Sequence, residues 1–180
     1  MNWKTVTQLY SGTLGKALLI IALATPMSFL VKAGINPTAF ITSLFGALFI
    51  LVGYVWTLIS APPIIKNFID GHDYAVKLNQ LKENIDWVSE FRILEDNKAK
   101  ITTGYDGYFH SQFEFSNIES AKNELGPEQC LRSLSILKYN LINNFNSKQR
   151  LCLTVIFIIG AILIYMPLIH RVFYILGVTS

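Results

Sequence analysis

All twelve carboxylate side chains of this 180-residue chain fall between Ile65 and Arg150. Residues 1–65 and 151–180 hold none, and they carry the charge-free runs Ala17–Val31, Ala33–Ile65 and Leu151–Ile169. A water-soluble fold has no need to exclude acids so strictly. A bilayer does, because a charge at its centre costs about 2.5–3.5 kcal/mol on insertion scales. The pattern predicts an α-helical integral membrane protein. It would have an N-terminal transmembrane hairpin over 1–65, a polar domain over 66–149, and a third transmembrane helix with a short tail over 150–180.

Length and punctuation place the spans. About 20 apolar helical residues cross a hydrocarbon core of about 30 Å. The first span is expected at about Leu14–Val31, with Lys16 snorkelling from its start and Pro26 kinking it. Ala22-Leu23-Ala24 resembles a small-x-small cleavage site, but the apolar run continues to Val31, past where a signal h-region would end. The run Ala33–Ile65 is too long for one untilted span. Asn36 is a good N-cap and Pro37 fits the first helical position, so a second helix should begin there and end before Pro62-Pro63, with its span at about 38–60. The third span should run from Leu151 to about Ile169. Beyond it, His170-Arg171 reads as a helix-end anchor, and the apolar tail Val172–Val178 either extends a tilted helix or lies in the interface.

Basic residues set the expected orientation. Lys4 and Lys16 precede the first span; Lys66, Lys77 and Lys82 follow the second; Lys138, Lys148 and Arg150 precede the third. Only Lys32 and Arg171 lie on the other side. The positive-inside rule puts the N-terminus and the middle domain in the cytoplasm, with a bacterial inner membrane the expected setting. Trp3, Tyr10, Tyr54, Trp56, Tyr165 and Tyr174 lie near predicted span ends, as an interfacial aromatic belt would.

The middle segment Lys66–Gln149 has 84 residues, with ten Lys/Arg against twelve Asp/Glu. It can hold one modest core. Leu78, Leu81, Ile85, Val88 and Phe91 form one helical stripe, which predicts a helix over Asp73–Glu95 with Glu83, Asp86 and Glu90 on its wet face. Asp106-Gly107, flanked by β-branched and aromatic residues, signals a small β-hairpin. Ser116-Asn117-Ile118-Glu119 is a capping box; Gly126 stops the helix it starts, and Pro127 opens the next. That next helix carries Cys130, Leu134, Leu137, Leu141 and Phe145 along one stripe. Leu134, Leu137 and Leu141 should bury against Leu78, Leu81 and Ile85, or else form a partner surface. Asn143–Ser147 either separates this helix from the third span or lets it run on.

Chemistry-bearing patterns are absent. The net charge of +3 comes from no basic stripe, which argues against nucleic acid. His72, His110 and His170 have no i+3 or i+4 companion that would make a metal pair. There is no phosphate loop, dinucleotide fingerprint or G-x-S-x-G. Cys130 and Cys152 are expected as free thiols. No catalytic residues, metal or cofactor are expected. Gly46, Gly53 and Ser60 recur every seven residues and mark a helix-packing seam, within the chain or between copies in a homo-oligomer. The expected role is a non-enzymatic membrane-anchored adaptor, sensor or regulator, of the size and layout of bacterial immunity, exclusion or defence proteins. Its cytosolic domain would bind a protein partner. The alternative is an oligomeric pore or membrane-disrupting effector gated by that domain.

Overall fold

In a computed structural model, residues 1–31, 37–81, 86–97 and 118–175 are described, and among them every regular element is helical. The expected hairpin at Asp106-Gly107 lies outside these residues, as do Asn36 and the capping-box residues Ser116 and Asn117. The elements are α1 (Trp3–Ser11), α2 (Thr13–Val31), α3 (Pro37–Ser60), α4 (Pro63–Asn67), α5 (Gly71–Gln80), α6 (Trp87–Asp96), α7 (Ile118–Leu125), α8 (Pro127–Asn143) and α9 (Ser147–Ile175). They fall into two compact units, one of Met1–Ala61 with Asn146–Ser180 and one of Pro62–Phe145.

The first unit is built on the pairing of α3 with α9. On α3 the buried positions are Ser43, Gly46, Ile50, Gly53 and Thr57; on α9 they are Arg150, Leu153, Phe157, Gly160 and Ile164. Both stripes alternate steps of three and four, the period that keeps one seam facing a partner helix. Gly46 lies against Gly160, Leu163 and Ile164, whereas Gly53 lies beside Tyr10, which bonds to Leu153. The pairing is therefore antiparallel. A Cβ on Gly46 would sit 2.8 Å from the Gly160 carbonyl oxygen, so the two glycines permit a backbone approach that no larger residue would.

Helix α1 was not foreseen. Asn2 caps it, its side chain accepting from the Thr5 amide at 2.9 Å. Trp3, Val6 and Tyr10 share one face and are buried in the unit. The Tyr10 hydroxyl donates to the Leu153 carbonyl at 2.6 Å, and its ring meets Phe157 edge-on at 5.2 Å. The Arg150 guanidinium is buried and donates to the Met1 carbonyl. Trp3 and Tyr10 thus fill a core and do not form part of an exposed aromatic belt. Their i, i+7 spacing with Val6 between them is what turns them inward.

Two of the long helices are apolar and long enough to cross a membrane, over Ile41–Ser60 and Ser147–Pro167. Helix α3 starts at Pro37 and stops before Pro62-Pro63, where proline chemistry ends it. Helix α9 runs through Pro167 and past His170-Arg171 to Ile175, so the start of the apolar tail continues the helix, one of the two courses expected for it.

In the second unit, α5 and α8 pack at close range. Asp70 caps α5, accepting from the amides of His72 at 2.9 Å and Asp73 at 2.8 Å. A Cβ on Gly71 would lie 2.9 Å from the Ile136 Cα. Tyr74, Ala75 and Leu78 of α5 and Cys130, Leu131, Leu134, Tyr139 and Leu141 of α8 are buried, with Phe91 and Leu94 of α6. The Tyr139 hydroxyl donates to the Ile69 carbonyl at 3.2 Å and so pins the turn before α5. Gly126, at φ 76°, adopts a backbone that L-residues avoid and joins α7 to α8. Helix α8 stops at Asn143, and Asn146 at φ 56° precedes α9, so the two are separate helices.

The helix expected over Asp73–Glu95 is two helices. Helix α5 ends at Gln80, with the Leu81 amide bonded to the Leu78 carbonyl at 2.9 Å. Asp86 then caps α6, accepting from Ser89 N at 3.3 Å. The break resets the helical phase, so the stripe is not one face. Leu81 and Val88 are 49% and 57% exposed, while Leu78 and Phe91 are buried. Ile85 lies outside the described residues.

Candidate functional site

The candidate functional residues divide by unit. In the first unit they make a surface. Outside its seam, α3 exposes Leu44, Phe45, Leu48, Val52, Val55 and Ile59, and α9 exposes Leu151, Val155, Ile158, Ile162 and Met166. Only 28% of each of the two long apolar stretches is buried within the chain. A core helix of a soluble domain would be mostly buried, and a monomer in water rarely exposes one apolar patch above about 300–600 Å². The polar groups on α3 face inward or fold back. Ser43 and Thr57 donate to the carbonyls of Ala39 and Gly53 at 2.8 Å each, and both are buried.

The seam residues sit as follows. Gly46 packs on α9, Gly53 receives the Tyr10 ring, and Ser60 is half-buried at the end of α3. Gly160, which the seven-residue repeat on α3 does not disclose, is the other half of the contact. Its signal was the single glycine within the third apolar run. Lys16 is exposed; His170 and Arg171 lie within α9, with side chains outside the described set.

In the second unit, Leu134, Leu141 and Leu78 are buried, Leu137 is half-buried and Leu81 is exposed. The buried face of α8 is turned toward Leu131 and Tyr139 relative to the expected stripe.

Two polar constellations emerge here. The first joins α5, α6 and α8. Lys138 Nζ donates to Glu90 Oε1 at 2.5 Å and to the Glu90 carbonyl at 2.6 Å, and the Tyr74 hydroxyl donates to the same Oε1. The ammonium also lies 5.6 Å from the centre of the Tyr74 ring and 5.8 Å from that of Phe91. Burial, then the Glu90 carboxylate, pushes the Tyr74 hydroxyl well above the usual tyrosine range. Glu90 is thus turned inward, not solvated as its place in the charge pattern suggested. Such a closed ion pair is a brace.

The second constellation is an open groove between α5 and α8, with a volume of about 640 Å³. Ala75 and Leu131 form its buried floor. His72, Asn79, Gln129 and Arg132 stand around it, and Arg132 Nη2 lies 3.3 Å from His72 Nε2. Its size falls in the range of small-molecule sites.

Among the described residues, no group of three or more His, Cys, Asp or Glu could hold a metal. Cys130 is a buried free thiol; burial pushes its pKa up and Lys122 pulls it back in part, so it is no ready nucleophile. Cys152 is free and exposed on α9. No protein-family model, curated protein or solved structure matches the chain.

Proposed function

We propose that the chain is a multi-pass integral membrane protein acting as a non-enzymatic, membrane-anchored sensor or regulator. Its spans are α2, α3 and α9, and the unit of Pro62–Phe145 is its cytoplasmic domain. One observation carries the membrane part. Over Ile41–Ser60 and from Leu151 to Pro167, the faces of α3 and α9 turned away from their seam are largely apolar, while Ser43 and Thr57 are buried and bonded to their own helix. Burying each large side chain of that kind is worth about 1.5–3 kcal/mol, and lipid supplies the burial that the fold does not. The carboxylate-free ends of the sequence support the same reading. The excess of Lys and Arg beside the middle segment supports a cytoplasmic N-terminus and domain, in a bacterial inner membrane.

The regulatory part rests on the second unit having a core of its own and an open groove, with an ion pair bracing it and, among the described residues, no assembled nucleophile and base. A domain so built acts by binding, and a cytosolic protein is the expected receiver of its signal.

Alkaline carbonate washing should leave the protein in the membrane pellet. In intact cells, a membrane-impermeant maleimide should label Ser180→Cys and miss Asp106→Cys, both placed in a Cys130→Ser, Cys152→Ser background. Release by carbonate sinks the membrane reading, and labelling at Asp106→Cys reverses the orientation. Ion flux through reconstituted liposomes would favour a pore instead.

A further inference from the structure

We infer that the groove between α5 and α8 is a binding site for a small organic phosphate, with Arg132 as its anchor. Four observations lead there. Arg132 is exposed at the groove, and among the described residues no carboxylate forms a salt bridge with it; its side chain lies against His72. An arginine can only donate, so in this contact His72 Nε2 is the accepting atom. That contact holds the guanidinium in place and leaves its other N–H groups free for a ligand. Glu128, also on the groove, sits one helical turn before Arg132, has an interaction of its own, and forms no salt bridge to Arg132.

The remaining polar lining adds donors. Gln129 and Asn79 bring side-chain amides and Ser133 a hydroxyl. A planar guanidinium with several neutral donors around it matches the three oxygens of a phosphate monoester. A bare ion would not fill about 640 Å³. Exposed Val76 and half-buried Ile136 line the rest with apolar surface suited to an organic moiety the size of a sugar or nucleoside. This deepens the sensing role proposed above and rests on it for its biological meaning. Binding itself is read in detergent and does not depend on topology, so the two can fail separately.

The test uses the full chain in a neutral maltoside detergent, with glucose 6-phosphate as probe and calorimetry and phosphorus NMR as readouts. Saturable binding at one site is expected. Arg132→Gln should weaken it at least tenfold and Arg132→Lys less, since lysine keeps the charge but loses the fork. Lys77→Gln, an exposed charge on α5 outside the groove lining, should leave it unchanged. Circular dichroism of each variant checks folding. Nanodiscs of phosphatidylcholine with and without phosphatidic acid identify the source: competition by phosphatidic acid assigns the site to a lipid headgroup, and its absence to a soluble ester. Absence of saturable binding overturns the inference. So does equal loss in Lys77→Gln and Arg132→Gln, or acetate binding as tight as the phosphate.

Discussion

Gly53→Ala should destabilise the first unit by about 1–3 kcal/mol, and the cause should be Tyr10. In α3 the added methyl would lie 2.2 Å from the Tyr10 hydroxyl oxygen and 2.5 Å from the ring carbon bearing it. Neither distance is tolerable, so the ring must leave its slot. Leaving strains the packing, an overpacking cost of about 1–3 kcal/mol. It also stretches the bond to the Leu153 carbonyl, worth about 0.5–1.5 kcal/mol net. Against this stands a gain of up to about 1 kcal/mol from replacing a helical glycine by alanine. The background Tyr10→Ala removes the colliding ring, itself a truncation of about 3–5 kcal/mol. In that background the collision vanishes while the helical gain remains, so Gly53→Ala should turn neutral or stabilising. The assay is reversible unfolding of the four proteins of this cycle in mixed micelles, followed by circular dichroism. Equal cost of Gly53→Ala in both backgrounds would refute the packing of α1 over α3.

Three further outcomes are expected in the second unit. Leu134 is 3% exposed whereas Leu137 is half-buried, so Leu134→Ala should cost about 2–5 kcal/mol and Leu137→Ala clearly less, read by protease resistance of residues 66–149. Lys138→Met should cost about 1.5–3 kcal/mol by leaving the half-buried Glu90 without its cation, and adding Glu90→Gln should recover part of it in chemical denaturation. Tyr74 holds its proton more tightly folded than unfolded, so its contribution is complete below the ordinary tyrosine value near 10 and is lost as pH rises above it. Melting temperature should therefore fall above about pH 10, and Tyr74→Phe should flatten that fall.

Several helix limits were legible where proline or glycine sets backbone geometry locally. Pro37 opens α3, Pro62-Pro63 follows its end, and Gly126-Pro127 divides α7 from α8. These signals act over one turn and need no tertiary context. The break between α5 and α6 was hidden for the opposite reason. Leu78, Leu81, Ile85, Val88 and Phe91 keep a helical period straight across it, so periodicity alone favours one helix. The Asp86 cap that restarts the chain is a single side chain, and its acid also suits a wet helix face. The same ambiguity misplaced Trp3 and Tyr10. An aromatic beside a span fits an interfacial belt or a core equally well until its partners are known, and Tyr10's partner on α9 is 143 residues away.

The small-residue seam was half legible for a related reason. A glycine stripe on one helix reveals that something approaches closely, because only close approach makes the missing side chain useful. It does not reveal what approaches. Gly46 meets the Gly160 backbone, which uses the absence of a side chain on both helices; Gly53 meets a ring, which uses it on one. The polar groups follow the same logic. Lys138 and Glu90 are 48 residues apart, and His72 and Arg132 are 60 apart. Neither pair belongs to a short motif, so no spacing rule could join them; the packing of α6 and of α5 on α8 does. What separates the two pairs is their surroundings. One is closed over by Tyr74 and Phe91 and holds three helices together. The other stands at the mouth of a groove, where its arginine keeps donors to spare.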